Sequence, residues 1–264
     1  MFTTHFKMTR QPFLERAPHE QILADERIGQ GLARLEYLAK VGGSIALVTG
    51  NTGVGKSSLL KLFVRSLSRN LFNPIYISLT HVGASGFLKL LVSSLGELPR
   101  RGKERLFLQI LDRLQGSEHT TLLVIDDAHL LPSEVLTDLR LLVSSGLEDG
   151  PPLKIILSGQ EVLRDELRRA RHADLLHRIS VRYHVPALSR EQTVSYIDFQ
   201  MRTAGGSEKV FEPEAKTLIH DYSSGVPRRI NNIAIACLIQ AATRNLQKIS
   251  QALVNDTTPE FNLP

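Results

Sequence analysis

A glycine-rich segment that ends in lysine and serine has the residue types and spacing best suited to chemistry. Gly50, Gly55, Lys56 and Ser57 fit the pattern G-x-x-x-x-G-K-[ST], with a strand-like run before it and a helix-like run after it. Glycines at 50, 53 and 55 permit positive φ, so successive N–H groups and a helix N-terminus can converge on one anion. The segment therefore predicts a phosphate-binding loop. The alternative is a glycine-rich turn that binds nothing.

The residue types also suggest which ligands this loop would hold. Lys56 would reach the β- and γ-phosphates of a nucleotide, and the hydroxyl of Ser57 would bind Mg²⁺. ATP and Mg²⁺ are therefore the expected ligands. The predicted binding segment consists of Gly50, Asn51, Thr52, Gly53, Val54, Gly55, Lys56, Ser57 and Ser58.

Two carboxylates end a third strand-like run, residues 121–127, which is otherwise apolar. A near-continuous apolar run of this length is typical of a buried parallel strand, and ligands of open α/β sheets bind at the carboxyl ends of such strands. Asp126 would complete the Mg²⁺ shell, and Asp127 would orient or deprotonate the attacking water. The alternative is that the two residues only cap the next helix.

Polar or charged residues also occur at three later positions that could face a nucleotide. Ser158 and Gln160 end the fourth strand-like run, where either could hydrogen-bond the water or the γ-phosphate, or could instead cap a helix. Arg178 opens the fifth run, from which a guanidinium could reach the nucleotide of a neighbouring subunit. Arg228 lies in the first turn of a helix, an unfavourable place for a cation unless a phosphate is near.

The order of the elements divides the chain into four parts. We predict an N-terminal arm (1–24) anchored by Phe13, an α/β nucleotide-binding core (25–186), a helical lid (187–248) and a flexible tail (249–264). Turns are expected at Gly42-Gly43 and at Gly150-Pro-Pro, and Ser189 with Gln192 fits a capping box. The strand-like runs are 45–48, 74–79, 121–127, 153–160 and 179–185.

Composition narrows the class of protein. The chain has 264 residues, 42% of them hydrophobic, which excludes a disordered protein and allows a sizeable core. No apolar run approaches the roughly 18 residues of a membrane span, so we expect no membrane association and a cytoplasmic protein. The single cysteine, Cys237, sits in an apolar helical pattern and is expected to be a buried hydrophobe. A net charge of +5 mildly favours phosphate-rich partners.

The layout resembles that of AAA+ ATPases, and several stretches resemble the ExeA-like group, a relative of the target-selecting ATPases of Tn7-like and Mu-like transposons. The resemblance covers roughly residues 5–245 and rests on Thr9-Arg-Gln-Pro-Phe, Asp126-Asp-Ala-His, Leu157-Ser-Gly-Gln, Arg178-Ile-Ser-Val-Arg-Tyr-His, Leu188-Ser-Arg-Glu and Gly225-Val-Pro-Arg. It implies an α/β AAA+ P-loop fold, in which a five-stranded parallel sheet flanked by helices is followed by a C-terminal helical lid. It also implies ATP at subunit interfaces, within a ring or a helical filament.

The resemblance assigns roles to two of the arginines. Arg178 looks like the arginine finger that acts in trans, and Arg228 looks like the lid arginine that senses the γ-phosphate. The departure is Asp127, because the family usually has glutamate there. A side chain one methylene shorter moves the carboxylate by about an ångström, which can cost around 10²-fold in rate. We therefore expect slow hydrolysis.

A basic turn suggests a partner. It lies between the second and third strands, where related DNA-binding members place pore-facing contacts. Its candidate ligands for the phosphate backbone of DNA are Arg100, Arg101, Lys103 and Arg105. Secretion-linked ExeA-like proteins carry a membrane span and a cell-wall-binding domain after the ATPase, and their absence before residue 264 favours the transposon branch. The expected partners are then duplex DNA, other copies of the chain, a transposase and an adaptor protein. The alternatives are a solvated surface turn, a secretion-associated or remodelling ATPase that ignores DNA, and a scaffold that binds ATP without turnover.

Overall fold

The computed structural model describes residues 2–15, 18–41, 43–78, 82–145 and 153–261. The strands are β1 (Ile45–Thr49), β2 (Phe72–Ile77), β3 (Thr120–Ile125), β4 (Leu153–Gly159) and β5 (Ile179–His184). The α-helices are α1 (Phe2–His5), α2 (Glu26–Lys40), α3 (Lys56–Ser66), α4 (Ala84–Ser94), α5 (Lys103–Gln115), α6 (Ser133–Ser144), α7 (Glu161–Leu167), α8 (Ala173–His177), α9 (Arg190–Thr203), α10 (Pro213–Ser223), α11 (Pro227–Thr243) and α12 (Gln251–Thr257).

The strands form one parallel sheet in the described part of the chain, in the order β2-β3-β4-β1-β5. Every residue of β1 is buried, as are the last five of β3. Strands buried on both faces need near-continuous apolar sequence, and this is what both runs have. The expected five-stranded parallel sheet is therefore confirmed, and all of its carboxyl ends lie along one edge.

The sheet belongs to a compact unit that comprises the described residues of Gly29–Gly50 and Lys56–Val185, which we call the sheet unit. Its core joins apolar residues of the strands to those of the helices that follow them, with Phe87, Leu106 and Val135 fully buried among them. The sequence predicts these helices because their apolar positions recur every three or four residues. The outer strand β5 instead alternates buried and exposed positions, as expected of an edge strand.

A second compact unit, which we call the helical unit, comprises the described residues up to Ile28, Asn51–Gly55 and the described residues from Pro186 onward. Helices α9 to α12 pack around a core that includes Ile197, Phe211 and Leu238. The capping box predicted at the start of α9 is present, because the Ser189 side chain accepts from the Gln192 backbone and the Gln192 side chain accepts from the Ser189 N–H.

The structure differs from expectation at both ends of the helical unit. The N-terminal segment contains α1, and Phe2, Phe6 and Met8 join Phe13 in the core of this unit. The predicted anchor Phe13 is confirmed, and its ring meets that of Phe211 edge to face. The prediction of a flexible tail is wrong over α12, because this helix buries two adjacent apolar residues, Leu253 and Val254. Short polar-flanked segments such as these become ordered only through tertiary burial.

Smaller differences concern element ends and turns. Strand β2 begins and ends two residues earlier than predicted, at Phe72 and Ile77. Gly42 and the turn at residues 150–152 lie outside the described residues. Across the described ranges, no helix combines the length and apolar character needed to cross a bilayer.

Replacing Phe13 by alanine tests whether the N-terminal segment is part of the helical unit's core. Phe13 is 1% exposed, so Phe13→Ala should lower the free energy of unfolding by about 3 to 5 kcal/mol, measured by urea denaturation followed by circular dichroism. Leu98→Ala is the control, because Leu98 is 89% exposed and its loss should change stability by less than about 0.5 kcal/mol. Equal effects of the two substitutions would contradict the packing of this segment.

Candidate nucleotide-binding site

The predicted phosphate-binding loop connects the buried strand β1 to helix α3. The values of φ are 150° at Gly50, 83° at Gly53 and 108° at Gly55, so all three glycines use backbone that L side chains rarely adopt. Helix α3 begins at Lys56, which leaves its first N–H groups available at the loop. The backbone thus has the conformation that a phosphate-binding loop requires.

Lys56 is held inside the sheet unit next to the start of the loop. Its side chain is buried, and Nζ donates a hydrogen bond to the carbonyl oxygen of Gly50 at 2.8 Å. A buried ammonium is stable only with hydrogen-bond acceptors or an anion near it. Ser57, the next residue, is exposed in the first turn of α3, where its hydroxyl can bind a cation.

The carboxylate of Asp126 is fixed by three hydrogen-bond donors. Asp126 is 4% exposed, and its Oδ1 accepts from the hydroxyl of Ser158 at 2.9 Å and from the backbone N–H of Asp127 at 3.1 Å. Its Oδ2 accepts from the hydroxyl of Tyr76 at 2.7 Å. These donors come from β2, β4 and the residue after Asp126 itself, so neighbouring strands set the orientation of the carboxylate.

Tyr76 links the two residues predicted to bind Mg²⁺. Burial and the hydrogen bond to Asp126 raise the pKa of Tyr76 well above its usual value, so the phenol stays protonated and donates to the carboxylate. The side chain of Ser57 acts in the opposite direction and lowers the pKa of Tyr76, although burial and Asp126 outweigh it. The phenol of Tyr76 is thus bonded to one predicted Mg²⁺ ligand, Asp126, and its pKa is influenced by the other, Ser57.

The oxygens at this point suit Mg²⁺. A hydroxyl and a carboxylate are hard ligands, and Mg²⁺ in nucleotide sites uses one or two protein oxygens, with phosphates and water completing its shell. In the described ranges no group of three or more His, Cys, Asp or Glu side chains could hold a metal alone. Ser57 and Asp126 would hold the ion, which would neutralise charge on the phosphates.

Asp127 adopts a left-handed backbone conformation, with φ of 53°, and its side chain is 54% exposed. It precedes a short 3₁₀ helix but makes no side-chain capping bond to it, so the capping alternative fails for this residue.

Gln160 occupies the N-cap position of α7, also without a side-chain capping bond, and its Nε2 lies 3.0 Å from Nε2 of His129. Ser158 lies within β4 and donates to Asp126, which excludes a capping role for it as well.

Arg228 lies beside the tip of the loop within the helical unit. Its backbone N–H donates to the carbonyl oxygen of Gly53 at 3.2 Å, and a Cβ added at Gly53 would lie 2.7 Å from Cβ of Arg228. The guanidinium is half exposed and lies 3.6 Å from the carboxylate of Glu15. Within this unit, therefore, the predicted lid arginine and the loop tip are direct neighbours.

Arg178 lies at the opposite edge of the sheet from Gly50. Ile179 pairs with Ile45 at the start of β1, so Arg178 is level with residue 44, six residues or about 20 Å from Gly50 at about 3.3 Å per residue. Arg178 is exposed, and among the described residues no carboxylate pairs with its guanidinium. Its own phosphate-binding loop is out of reach of an arginine side chain.

The basic turn is only partly free to bind a partner. Arg100 and Arg101 are exposed between α4 and α5, and Arg105 is exposed in the first turn of α5. Lys103, in contrast, pairs with the buried carboxylate of Asp138 at 2.9 Å. The structure therefore gives Lys103 a role in fixing α5 to α6, and it leaves the three arginines as the exposed cations of the turn.

With this geometry in place, comparison with known proteins identifies the domain. Residues 39–167 match the family model of an AAA domain. The chain contains an AAA-type ATPase domain. It is also 32% identical, over 261 residues, to the general secretion pathway protein A of Aeromonas hydrophila. The match covers 94% of this chain and 46% of that protein, so the chain spans about half the length of its curated relative.

Solved structures show the same AAA+ fold. The ORC1 protein of Aeropyrum pernix in complex with DNA has a TM-score of 0.72 at 17% identity, over 94% of this chain and 68% of that chain. Drosophila ORC bound to DNA has a TM-score of 0.74 at 17% identity, over 100% of this chain and 66% of that one. The RuvB Holliday junction branch migration motor of Thermotoga maritima has a TM-score of 0.62 at 15% identity, over 94% of this chain and 74% of that chain.

Three residues near the candidate site have no predicted role in the sequence. Tyr76 lies in a strand-forming run, next to the carboxyl end of β2, where ligands are expected. His129 ends the Asp126-Asp-Ala-His stretch, which by itself assigns it no contact. Arg27 is buried in the helical unit and donates to the carbonyl oxygens of Pro186 at 2.7 Å and Val54 at 3.5 Å, a pairing without a local sequence signal.

Tyr76→Phe tests whether Tyr76 holds Asp126 in place for Mg²⁺. The variant should bind ATP in EDTA as the wild type does, while the Mg²⁺ concentration for half-maximal tightening rises about 10-fold, the usual effect of losing a hydrogen bond to a metal ligand. Titration with a fluorescent ATP analogue at several Mg²⁺ concentrations measures both values. Tyr37→Phe is the control because Tyr37 is exposed on α2. An unchanged Mg²⁺ dependence would contradict this role.

Proposed function

We propose that this chain is a Mg²⁺-dependent ATPase whose site is completed by a second copy of the chain. The observation that carries the proposal is the position of Arg178, exposed and without a carboxylate partner among the described residues, about 20 Å along the sheet from Gly50. An arginine at that edge can stabilise transferred phosphate only on a neighbouring protomer. Such a head-to-tail interface produces a ring or a helical filament.

The residues of the site support a simple hydrolytic step. Lys56 and the loop amides bind the phosphates, and Asp127 accepts a proton from the attacking water. The water oxygen bonds to the γ-phosphorus, the bond from that phosphorus to the bridging oxygen breaks, and ADP leaves with the electron pair. Arg228, whose backbone N–H donates to the carbonyl oxygen of Gly53 at the loop tip, would sense the γ-phosphate.

The aspartate at position 127 suggests that the protein acts as a switch controlled by bound ATP. Its carboxylate lies about one methylene short of the position that glutamate would reach, and displacements near 1 Å can cost about 10²-fold in rate. Slow hydrolysis prolongs the ATP-bound assembly. We infer that the ATP-bound assembly is the functional state and that the rate of hydrolysis sets its lifetime.

We further propose that the ATP-bound assembly binds duplex DNA without sequence preference and regulates transposition by recruiting a transposase to its target. The exposed Arg100, Arg101 and Arg105 support DNA binding, because phosphate contacts from arginine need no base readout. Two structures with this fold, ORC1 in complex with DNA and ORC bound to DNA, are consistent with it. The transposition part of the proposal rests on the sequence resemblance to target-selecting ATPases.

A second candidate is a secretion-associated ATPase that engages a protein partner and does not bind DNA. The observation in its favour is the 32% identity to general secretion pathway protein A along most of this chain. The two candidates share the nucleotide site and the self-assembly. They differ in whether the basic turn meets DNA, which a binding assay resolves.

Mixing two inactive variants tests catalysis in trans. Lys56→Ala and Arg178→Ala should each lower the rate of phosphate release by about 10³-fold. An equal mixture should recover about a quarter of the wild-type rate, because one in four random head-to-tail interfaces combines an intact loop with an intact arginine. The double variant mixed with wild type is the control for dilution. No recovery in mixtures that co-assemble would contradict the trans role. Wild-type release no faster than that of Lys56→Ala would instead indicate a scaffold without turnover.

Neutralising the basic turn tests DNA binding. The triple change of Arg100, Arg101 and Arg105 to glutamine should weaken ATP-dependent binding to duplex DNA and lower the slope of log affinity against log salt by about 2.7, since each phosphate contact contributes about 0.9. Fluorescence anisotropy over about 50 to 200 mM salt measures the slope.

The matched control neutralises three exposed cations on and after α3, Lys61, Arg65 and Arg69, with the same change in net charge. It should retain most of the wild-type affinity and slope. Equal losses in the two triple variants would show that the turn is not a specific contact. Absence of ATP-dependent binding by the wild type would remove the DNA proposal and favour the secretion-associated candidate.

A further inference from the structure

We propose that His129 is a positioning residue that connects Gln160, at the end of β4, to the carboxylate of Asp127. The inference rests on the proposed ATPase function and names a residue of the same site for which neither the motif nor the family match supplies a role. Through His129, the Gln160 side chain at the end of β4 would set the orientation of Asp127, the water-activating residue at the end of the adjacent strand β3.

The imidazole lies between the two side chains. Its Nε2 is 3.0 Å from Nε2 of Gln160, and its Nδ1 is 3.9 Å from Oδ1 of Asp127. The ring is 11% exposed, and Nδ1 is fully buried without a hydrogen-bond partner among the described residues. A buried ring nitrogen that faces a carboxylate and makes no other bond needs that carboxylate as its partner.

The arrangement selects one tautomer. If the Gln160 amide donates to Nε2, the proton of a neutral imidazole resides on Nδ1, which then points a donor toward Asp127. The opposite assignment, with the amide oxygen facing a protonated Nε2, would leave the lone pair of Nδ1 facing a carboxylate. That juxtaposition is repulsive, so the Nδ1–H form is favoured. A rotation of the half-exposed Asp127 side chain would shorten the 3.9 Å separation to a hydrogen bond.

Gly159 provides an independent indication that the ring must approach the end of β4. A Cβ added at Gly159 would lie 3.1 Å from the backbone nitrogen of His129, 3.3 Å from its Nδ1 and 3.0 Å from Leu163. Only glycine leaves these contacts undisturbed. The glycine between Ser158 and Gln160 therefore lets one residue bond Asp126 and the other bond His129.

The consequence is a mechanical connection between ligand sensing and catalysis. Gln160 lies at the edge of the sheet where the γ-phosphate is expected, and a change in its position would turn the imidazole and, with it, Asp127. His129 would accept no proton in this role. It would hold the water-activating carboxylate, so its loss should affect turnover and leave nucleotide binding intact.

Kinetics of His129 variants test the proposal. His129→Ala should lower kcat about 10- to 100-fold, the range expected for a displaced catalytic group, with KM and the Kd for ATP unchanged. His129→Asn, whose amide can replace the Nδ1–H donor, should recover part of the loss. In an Asp127→Ala background, His129→Ala should have no further effect on kcat, because the two substitutions remove the same function.

His172→Ala is the matched control. His172 is a buried histidine of the same unit that contacts Ser133 and Glu166, away from Asp127, so its loss should leave kcat per folded molecule unchanged. The proposal would be overturned if His129→Ala and His172→Ala lowered kcat equally, or if the effects of His129→Ala and Asp127→Ala multiplied.

An activity-independent measurement separates this inference from the proposed ATPase. The ¹⁵N chemical shifts of the His129 ring should show the Nδ1–H tautomer in the wild type and a changed mixture in Gln160→Ala. An Nε2–H ring in the wild type would overturn the role of His129 even if the protein hydrolyses ATP. A wild type that shows the Nδ1–H ring but releases no phosphate would refute the ATPase proposal while leaving the side-chain connection in place.

Discussion

The structure of the site depends on one buried charge, the carboxylate of Asp126. A carboxylate removed from water is costly unless donors replace its hydration, and here the donors are Tyr76, Ser158 and the backbone N–H of Asp127. Because these donors belong to β2, β4 and the end of β3, the carboxylate stabilises the carboxyl ends of three adjacent strands in one register. Asp127 and Gln160, which follow β3 and β4, therefore lie at the same edge of the sheet.

The parallel arrangement of the strands has a second consequence. Since all the strands point the same way, the phosphate-binding loop follows β1 at one edge of the sheet, and Arg178, just before β5, lies at the other. A charged group at the second edge cannot serve the loop of its own chain. The exposed guanidinium of Arg178 is thus the reason for proposing that the ATPase depends on self-assembly.

The nucleotide site does not determine the partner. Its residues would serve a transposition regulator and a secretion-associated ATPase equally, because both would use ATP binding to control assembly. What distinguishes the two is a surface, the turn that carries Arg100, Arg101 and Arg105. Its lysine, Lys103, is occupied by Asp138 and belongs to the fold. Charge in a sequence therefore marks a binding surface only after the structure has removed the cations that pair internally.

The sequence alone determined the elements governed by local rules: the positive-φ glycines of the loop, the buried strands, the caps and the periodic helices. It also placed Asp126 and Ser158 at the same edge, because carboxyl ends of parallel strands must meet there. Only the tertiary structure revealed Tyr76 and His129 as parts of the site and ordered the two ends of the helical unit. Those features depend on contacts between residues far apart in the chain, and such contacts leave no local pattern of spacing or composition.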